Sequence, residues 1–225
     1  MSRRWLVVGA SRGLGLEFVR QARAAGDEAT ATARSEQGLL ALRGLGATAL
    51  QLDVADAVSA SGFGWQIESS GFDRVVINAG VYGPRHAGLE PPTESEFNAV
   101  MHTNVLGAMR ALCDIATPGV LARGARLMVL SSRMGSIGER RSSAGWLYRA
   151  SKAALNSVLR DASLALQGRA VCVAVHPGWV RTDMGGGAAD LTPERSVADL
   201  RRVMERLGED DNGRFLNHDG VPIEW

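Results

Sequence analysis

The sequence predicts an α/β protein: a single doubly wound domain built on a mainly parallel seven-stranded sheet. Three observations predict it. Short apolar runs alternate with longer segments of helical character along the chain. Several runs are almost continuously apolar, as expected of strands covered on both faces by helices. The first run passes straight through a glycine-rich turn into the first helix, the corner from which right-handed parallel crossovers are built.

The elements follow in order. Residues 5–10, WLVVGA, open as a buried strand, and residues 13–25 after the glycine turn make the first helix. The strand at 28–33 alternates as EATATA and leads to a helix at 36–44. A third strand at 47–52 precedes a helix at 56–70 that Gly62 and Gly64 interrupt. Strands at 73–78, 126–131 and 171–176 are aliphatic, with a shorter one at 214–217. Long helices are expected at 93–117 and 148–166. A last helix spans 193–207, with Thr192 as N-cap, Pro193 in its first turn and Gly208 past its end. No Pro- or Ser-rich linker and no repeat divides the 225 residues, so one domain over 1–225 is expected.

Composition narrows the function classes. A formal charge of +1 creates no global field for nucleic acid or an anionic membrane. The pairs Arg140–Arg141 and Arg201–Arg202 read as solvated surface. Cys113 and Cys172 lie in the apolar runs ALCDIA and AVCVAV and read as small buried hydrophobes. The four histidines lack metal-ligand spacing, so no metal is expected. No apolar stretch is long enough for a signal peptide or a membrane span, and a cytoplasmic, reducing location is expected.

The turn at 9–15 is GASRGLG. Its glycines allow close approach of backbone to a pyrophosphate, and the following helix points free N–H groups at the anion. Arg12 lies in this turn and Arg34 ends the second strand, where an acid would select an unphosphorylated adenosine ribose. Arginine there pairs with a 2′-phosphate instead, so NADP(H) is the expected cofactor. Asp53 and Asn78 follow the third and fourth strands, at the carboxyl ends where an open α/β sheet binds its ligand.

The chain holds 24 arginines and a single lysine, Lys152, four residues after Tyr148. That spacing stacks the two on one helix face, continued by Leu155, Leu159, Ala162 and Leu166, so both point inward. A nearby cation stabilises a phenolate and brings a phenol toward a useful pKa. A compact ammonium with aimed donors suits this better than a planar guanidinium, and a merely solvated cation would be another arginine here.

Read together, GASRGLG, LDV at 52–54, INAG at 77–80, MHTNVLG at 101–107, Ser131-Ser132, YRASK at 148–152 and HPGWVRT at 176–182 resemble the short-chain dehydrogenase/reductase family, in the family's order. SSRMGSI, YRASKAALN, HPGWVRTDMGG and the tail from Asp219-Gly220 to Trp225 are similar to its C-factor and sniffer-like carbonyl reductase branch. The resemblance implies a Rossmann-type domain and a catalytic set of Asn104, Ser132, Tyr148 and Lys152. Tyr148 would donate the proton to a carbonyl oxygen, and Ser132 would hydrogen-bond that oxygen. Lys152 would bind the nicotinamide ribose and depress the phenol, and Asn104 would hold a water in the proton relay.

For the cofactor the resemblance implies Gly9, Ser11, Arg12, Gly13, Leu14 and Gly15 at the phosphates. It adds Arg34, Asp53 and Val54 at the adenosine, then Asn78, Ala79 and Gly80. Tyr148, Lys152, Pro177, Gly178, Val180 and Thr182 fall at the nicotinamide end.

There are departures. Ile77 replaces the first asparagine of the usual NNAG, and Val8 stands where many members have a threonine that stabilises the turn. Ser132 precedes Tyr148 by sixteen residues, a longer gap than many members show, which leaves Ser131 and Ser136 as alternatives. Residues 139–146 are expected to form a loop near the substrate mouth.

A short glycine-rich lid near 183–192 implies an open, mobile substrate site, with Met184, Trp146 and Tyr82 as apolar contacts. The expected partner is a small carbonyl or alcohol substrate, with a homodimer through the helices of Asn104 and Tyr148. The function expected is NADPH-dependent carbonyl reduction. A cofactor-binding signalling or sensor protein with little turnover is the alternative. A Ser-Tyr-Lys hydrolase leaves the glycine turn and Arg34 unexplained.

Overall fold

The computed structural model describes residues 2–85 and 89–225. Seven strands form one sheet: β1 Arg4–Val8, β2 Glu28–Ala33, β3 Thr48–Gln51, β4 Phe72–Ile77, β5 Leu121–Leu130, β6 Ala170–His176 and β7 Phe215–Asn217. Their order is β3-β2-β1-β4-β5-β6-β7. Every pairing between them is parallel, so the sheet is wholly rather than mainly parallel. The order reverses between β1 and β4, and the crevice at such a reversal is where open α/β sheets bind ligands.

The continuous apolar runs have a direct cause. Successive side chains alternate between two cores of buried apolar residues. Leu6, Val75, Ile77, Leu127 and Cys172 face one core with Ile115, Leu155 and Leu159. Trp5, Val7, Val76, Met128 and Val173 face the other with Phe18, Leu42 and Met204. Helices α1 Gly13–Ala24, α2 Glu36–Gly44 and α8 Pro193–Arg206 cover the second face. Helices α3 Ala57–Ser61, α4 Phe63–Gln66, α5 Glu94–Met101, α6 Gly107–Ile115 and α7 Trp146–Ala165 lie on the first.

Three expectations change. The 56–70 helix is two short pieces, α3 capped by Asp56 and α4 entered through Gly62. The 93–117 helix is interrupted by a π-helical turn at His102–Leu106, followed by α6. The wider turn shifts the phase of the apolar stripe: Val100, Ala108 and Leu112 are buried, whereas Met101 and Val105 are only half-buried. It buries Asn104 completely in their place. Cys172 is buried as expected, but Cys113 is exposed, because it lies on the outer side of α6.

Candidate active site

A cavity of about 440 Å³ runs along the carboxyl ends of the strands, from Arg34 at one end to Tyr148 and Lys152 at the other. The turn after β1 forms its floor. Gly9 has φ +84, and a Cβ there would lie 2.7 Å from the Ala79 backbone, so only glycine fits. The N–H of Gly9 donates to Thr32 Oγ1 at 2.9 Å, so β2 supplies the turn hydrogen bond for which Val8 offers no hydroxyl. Asn78 Nδ2 donates to the Gly9 carbonyl, and the N–H groups of Asn78 and Ala79 both donate to Val8 O. Asn78 therefore clamps β4 to the turn. Ile77 belongs to the core and has no part in this.

Helix α1 starts at Gly13 with no side-chain cap at Arg12, which leaves its first N–H groups pointing at the cavity's phosphate end. Ser11, Arg12, Gly13 and Leu14 line the cavity, but Gly15 does not. A Cβ on Gly15 would lie 2.4 Å from Gly9 O, so its role is close packing of helix on turn. Asp53, Val54, Ala79 and Gly80 line the cavity as expected. Arg34 reaches Asp53 at 3.9 Å. Arg12 does not join Arg34; it pairs with Asp183 across the cavity at 2.6 Å.

At the other end Tyr148 is 7% and Lys152 4% exposed. The Tyr148 ring stacks on Tyr82, and its hydroxyl approaches Met184 Sδ at 3.9 Å. Lys152 Nζ donates to Leu130 O at 2.8 Å and lies 5.7 Å from the Tyr148 ring centroid. Among the three serines, Ser131 donates to Asn156 Oδ1 at 2.6 Å. Ser136 is fully buried and accepts from Glu139 N. Ser132 caps the short turn at Arg133–Gly135, accepts from Met134 N, and hydrogen-bonds the Tyr148 phenol.

Asn104 lies behind the cavity wall rather than in it. Its amide donates to Val81 O and Ser151 Oγ, and its Oδ1 accepts from Val81 N. Both side-chain donors are thus occupied. Pro177 and Thr182 line the cavity, whereas Gly178 packs against Leu191 and His218, and Val180 is buried in a bridge to Leu191. Thr32, Val81, Thr103, Leu130, Arg181 and Asp183 also line it. Their signal in the sequence was adjacency to strand ends and to motif residues, too general to single them out.

The model of the short chain dehydrogenase family matches residues 3–191. The chain belongs to this family. Over 156 residues it is 36% identical to the C-signal protein of Myxococcus xanthus, covering 68% of this chain and 92% of that one. A carbonyl reductase from Pseudomonas aeruginosa in complex with NADP superposes with a TM-score of 0.85 at 31% identity, covering all of both chains. The carbonyl reductase Sniffer of D. melanogaster superposes with a TM-score of 0.84 at 28% identity, again over both full chains. These likenesses put this dehydrogenase in the carbonyl reductase branch of the family.

Electrostatics in this dehydrogenase run against one expectation. Burial pushes the Tyr148 phenol up to about 12; the Ser132 hydrogen bond opposes the rise and Tyr82 adds to it. Burial also pulls the Lys152 ammonium down to about 8. The lysine does not depress the phenol here, because its Nζ is directed at Leu130 O while desolvation penalises both charged forms. The segment after Thr182 is also tied down. Besides Asp183 on Arg12, Met184 O accepts from Arg85, Gly185 O from Trp179 Nε1, and Ala189 O from Arg181. Among the described residues no helix is long and apolar enough to cross a membrane, and no group of three or more His, Cys, Asp or Glu side chains could hold a metal ion.

Proposed function

We propose that the protein is an NADPH-dependent carbonyl reductase acting on small aldehydes, ketones or related carbonyls. One observation carries the reading. A buried Tyr148–Lys152 pair, with Ser132 hydrogen-bonded to the phenol, closes one end of a cavity whose other end is a glycine turn, a helix N-terminus and Arg34; the serine that itself lines this cavity is Ser131. The residues fit a nicotinamide dinucleotide: Gly9 and Gly13 hold the turn at positive φ, the Gly9 position has no room for a Cβ, and Arg34 supplies a cation for a 2′-phosphate. NADP in the solved Pseudomonas relative supports the same cofactor. When bound, the cofactor supplies the hydride.

The chain's own groups handle the proton. With its phenol raised to about 12, Tyr148 is protonated at neutral pH and holds the proton that a carbonyl oxygen takes up. Ser132, which hydrogen-bonds the phenol, is placed to donate its O–H to the same oxygen when a carbonyl enters, stabilising the charge that develops there. Lys152, with Nζ anchored on Leu130 O, turns its remaining ammonium donors to the nicotinamide ribose. Any water held at Asn104 would rest on backbone or Oδ1, since both amide hydrogens are bonded. Residues 183–192 act as the substrate lid.

A signalling role without turnover is the weaker reading, because cofactor binding alone makes no use of a buried phenol hydrogen-bonded to a serine hydroxyl. We place the protein in the cytoplasm and infer a homodimer through the outer faces of α5, α6 and α7. The test is NADPH oxidation against a panel of aldehydes, ketones and diones, with NADH in parallel. Turnover preferring NADPH supports the proposal. Tight NADPH binding with no turnover across the panel would favour the signalling role.

A further inference from the structure

A second cavity, of about 370 Å³, opens beside the start of α7. It is lined by Arg140, Arg141, Arg149, Trp146, Leu89 and a pair of serines, Ser142 and Ser143, with no carboxylate among them. Arg149 is only 9% exposed. Its Nε donates to Ala144 O at 2.9 Å, and its terminal amino groups have no hydrogen bond or ion pair among the described residues. Arg141 uses Nη1 on the carbonyls of Gly138 and Arg140, and neither Arg140 nor Arg141 has an acidic partner among the described residues. Arg149 has a buried stem and its terminal nitrogens reach solvent, so three guanidinium groups face one cavity with no carboxylate in its lining, and a bound anion would offset their repulsion. Helix α7 starts on a left-handed Gly145 with no capping side chain, which leaves the positive end of its dipole uncompensated nearby.

The cavity adjoins the reaction site. Arg149 follows Tyr148 in α7, so the two Cα atoms are about 3.8 Å apart. A Cβ on Gly145 would lie 2.5 Å from the hydroxyl of Tyr82, whose ring stacks on Tyr148. Consecutive helix side chains diverge by about 100°, and this cavity shares no lining residue with the first, so an anion held by Arg149 lies on the order of 10 Å from the phenol and a substrate joining the two sites must pass around the start of α7.

We propose that this cavity is an anion subsite that binds the carboxylate or phosphate end of the carbonyl substrate, with Arg149 as its fixed donor and Arg140 and Arg141 as its rim. The proposal rests on the reductase reading and names its substrate class: acidic rather than neutral carbonyl compounds. Serine hydroxyls and a bidentate guanidinium suit either acid group, and Trp146 packs against the connecting chain.

The test compares ω-oxo acids of graded length with their methyl esters, the ester serving as internal reference in each variant. The wild type should show a KM for the best acid about tenfold below that of its ester, as expected for a charge-assisted pair. Arg149→Gln should bring the ratio close to one, and the surface variant Arg141→Gln should move it the same way without risk to folding. Equal KM values in the wild type, or a preference that survives both substitutions, would overturn the proposal. Inorganic phosphate, titrated by calorimetry, separates the sources: phosphate binding without an acid preference would mean a free-anion site and overturn the substrate assignment. If neither acids nor esters oxidise NADPH, the reductase reading fails. The subsite is then judged by calorimetry with a dicarboxylate: heat lost in Arg141→Gln upholds an anion site, and no heat in the wild type overturns it.

Discussion

Tyr82 stacks on Tyr148 with ring centroids 4.6 Å apart and planes inclined by 22°. Tyr82 in turn lies under the guanidinium of Arg85, 4.5 Å from its ring centroid. The stack removes water from the phenol, and burial is the largest cause of its rise to about 12. Tyr82→Ala should let water in and return the phenol toward about 10, the value of an exposed tyrosine. Tyr148 is then the chain's only tyrosine, so an ultraviolet titration reads its phenol directly and should fall at lower pH than in the wild type. An unmoved titration would assign the burial to other neighbours.

Tyr148→Phe keeps the ring and its stacking but removes the proton donor. Turnover should fall by about 10²- to 10⁴-fold, the range for loss of a positioned general acid. NADPH binding, followed by fluorescence, should persist. Turnover within tenfold of wild type would assign the proton to another group.

Lys152 is pulled down to about 8 by burial, below its unfolded value near 10.5. The fold thus favours the neutral amine, and stability present above about pH 10.5 is lost as pH falls through 8. At pH 7 the buried ammonium is a net cost. Lys152→Met, which keeps the stem, should raise the thermal midpoint at pH 7 while abolishing turnover. Lys152→Arg should not restore activity, because the guanidinium does not fit the ammonium's place at Leu130 O. Wild-type turnover should decline above about pH 8 as the ammonium is lost.

His176 ends β6, and its Nδ1 is buried without a hydrogen-bond partner among the described residues. Burial, then Arg133 and His218, hold its pKa at about 4. The unfolded imidazole takes up a proton near pH 6.5 and the folded one does not, so stability is complete above that value and falls between pH 6.5 and 4. Thermal midpoints measured across that window should drop in the wild type and drop less in His176→Gln.

Arg34 is an exposed cation near the mouth of the cavity, so replacing it should change recognition more than stability. Arg34→Glu should raise KM for NADPH by about tenfold or more and lower that for NADH, since an acid there accepts from ribose hydroxyls and repels a 2′-phosphate. Parallel kinetics with the two cofactors decide it. An unchanged preference would move the phosphate contact to Arg12.

Part of the site was legible in the sequence because it is written in local spacing. Tyr148 and Lys152 share a face through a four-residue step in one helix, and the glycines of the turn announce a backbone that no Cβ may enter. Other parts were not. Three adjacent or nearby serines look alike in a sequence; only the structure shows that Ser131 donates to Asn156 Oδ1, whereas Ser132 hydrogen-bonds the phenol. Asn104 looked like a residue of an ordinary helix, and its burial depends on the π turn that carries it.

The sequence by itself determined where the strands and most helices lie, that a glycine turn joins the first strand to the first helix, and which tyrosine and lysine face inward. These follow from periodicity, apolar run length and glycine placement, all properties of a few consecutive residues. Only the tertiary structure decided that Arg12 pairs with Asp183, that Thr32 replaces a missing threonine in the turn, that Cys113 is exposed, and that the phenol is raised rather than lowered. Each of these depends on partners brought from distant segments, or on how much water those partners exclude, and neither is encoded in local spacing.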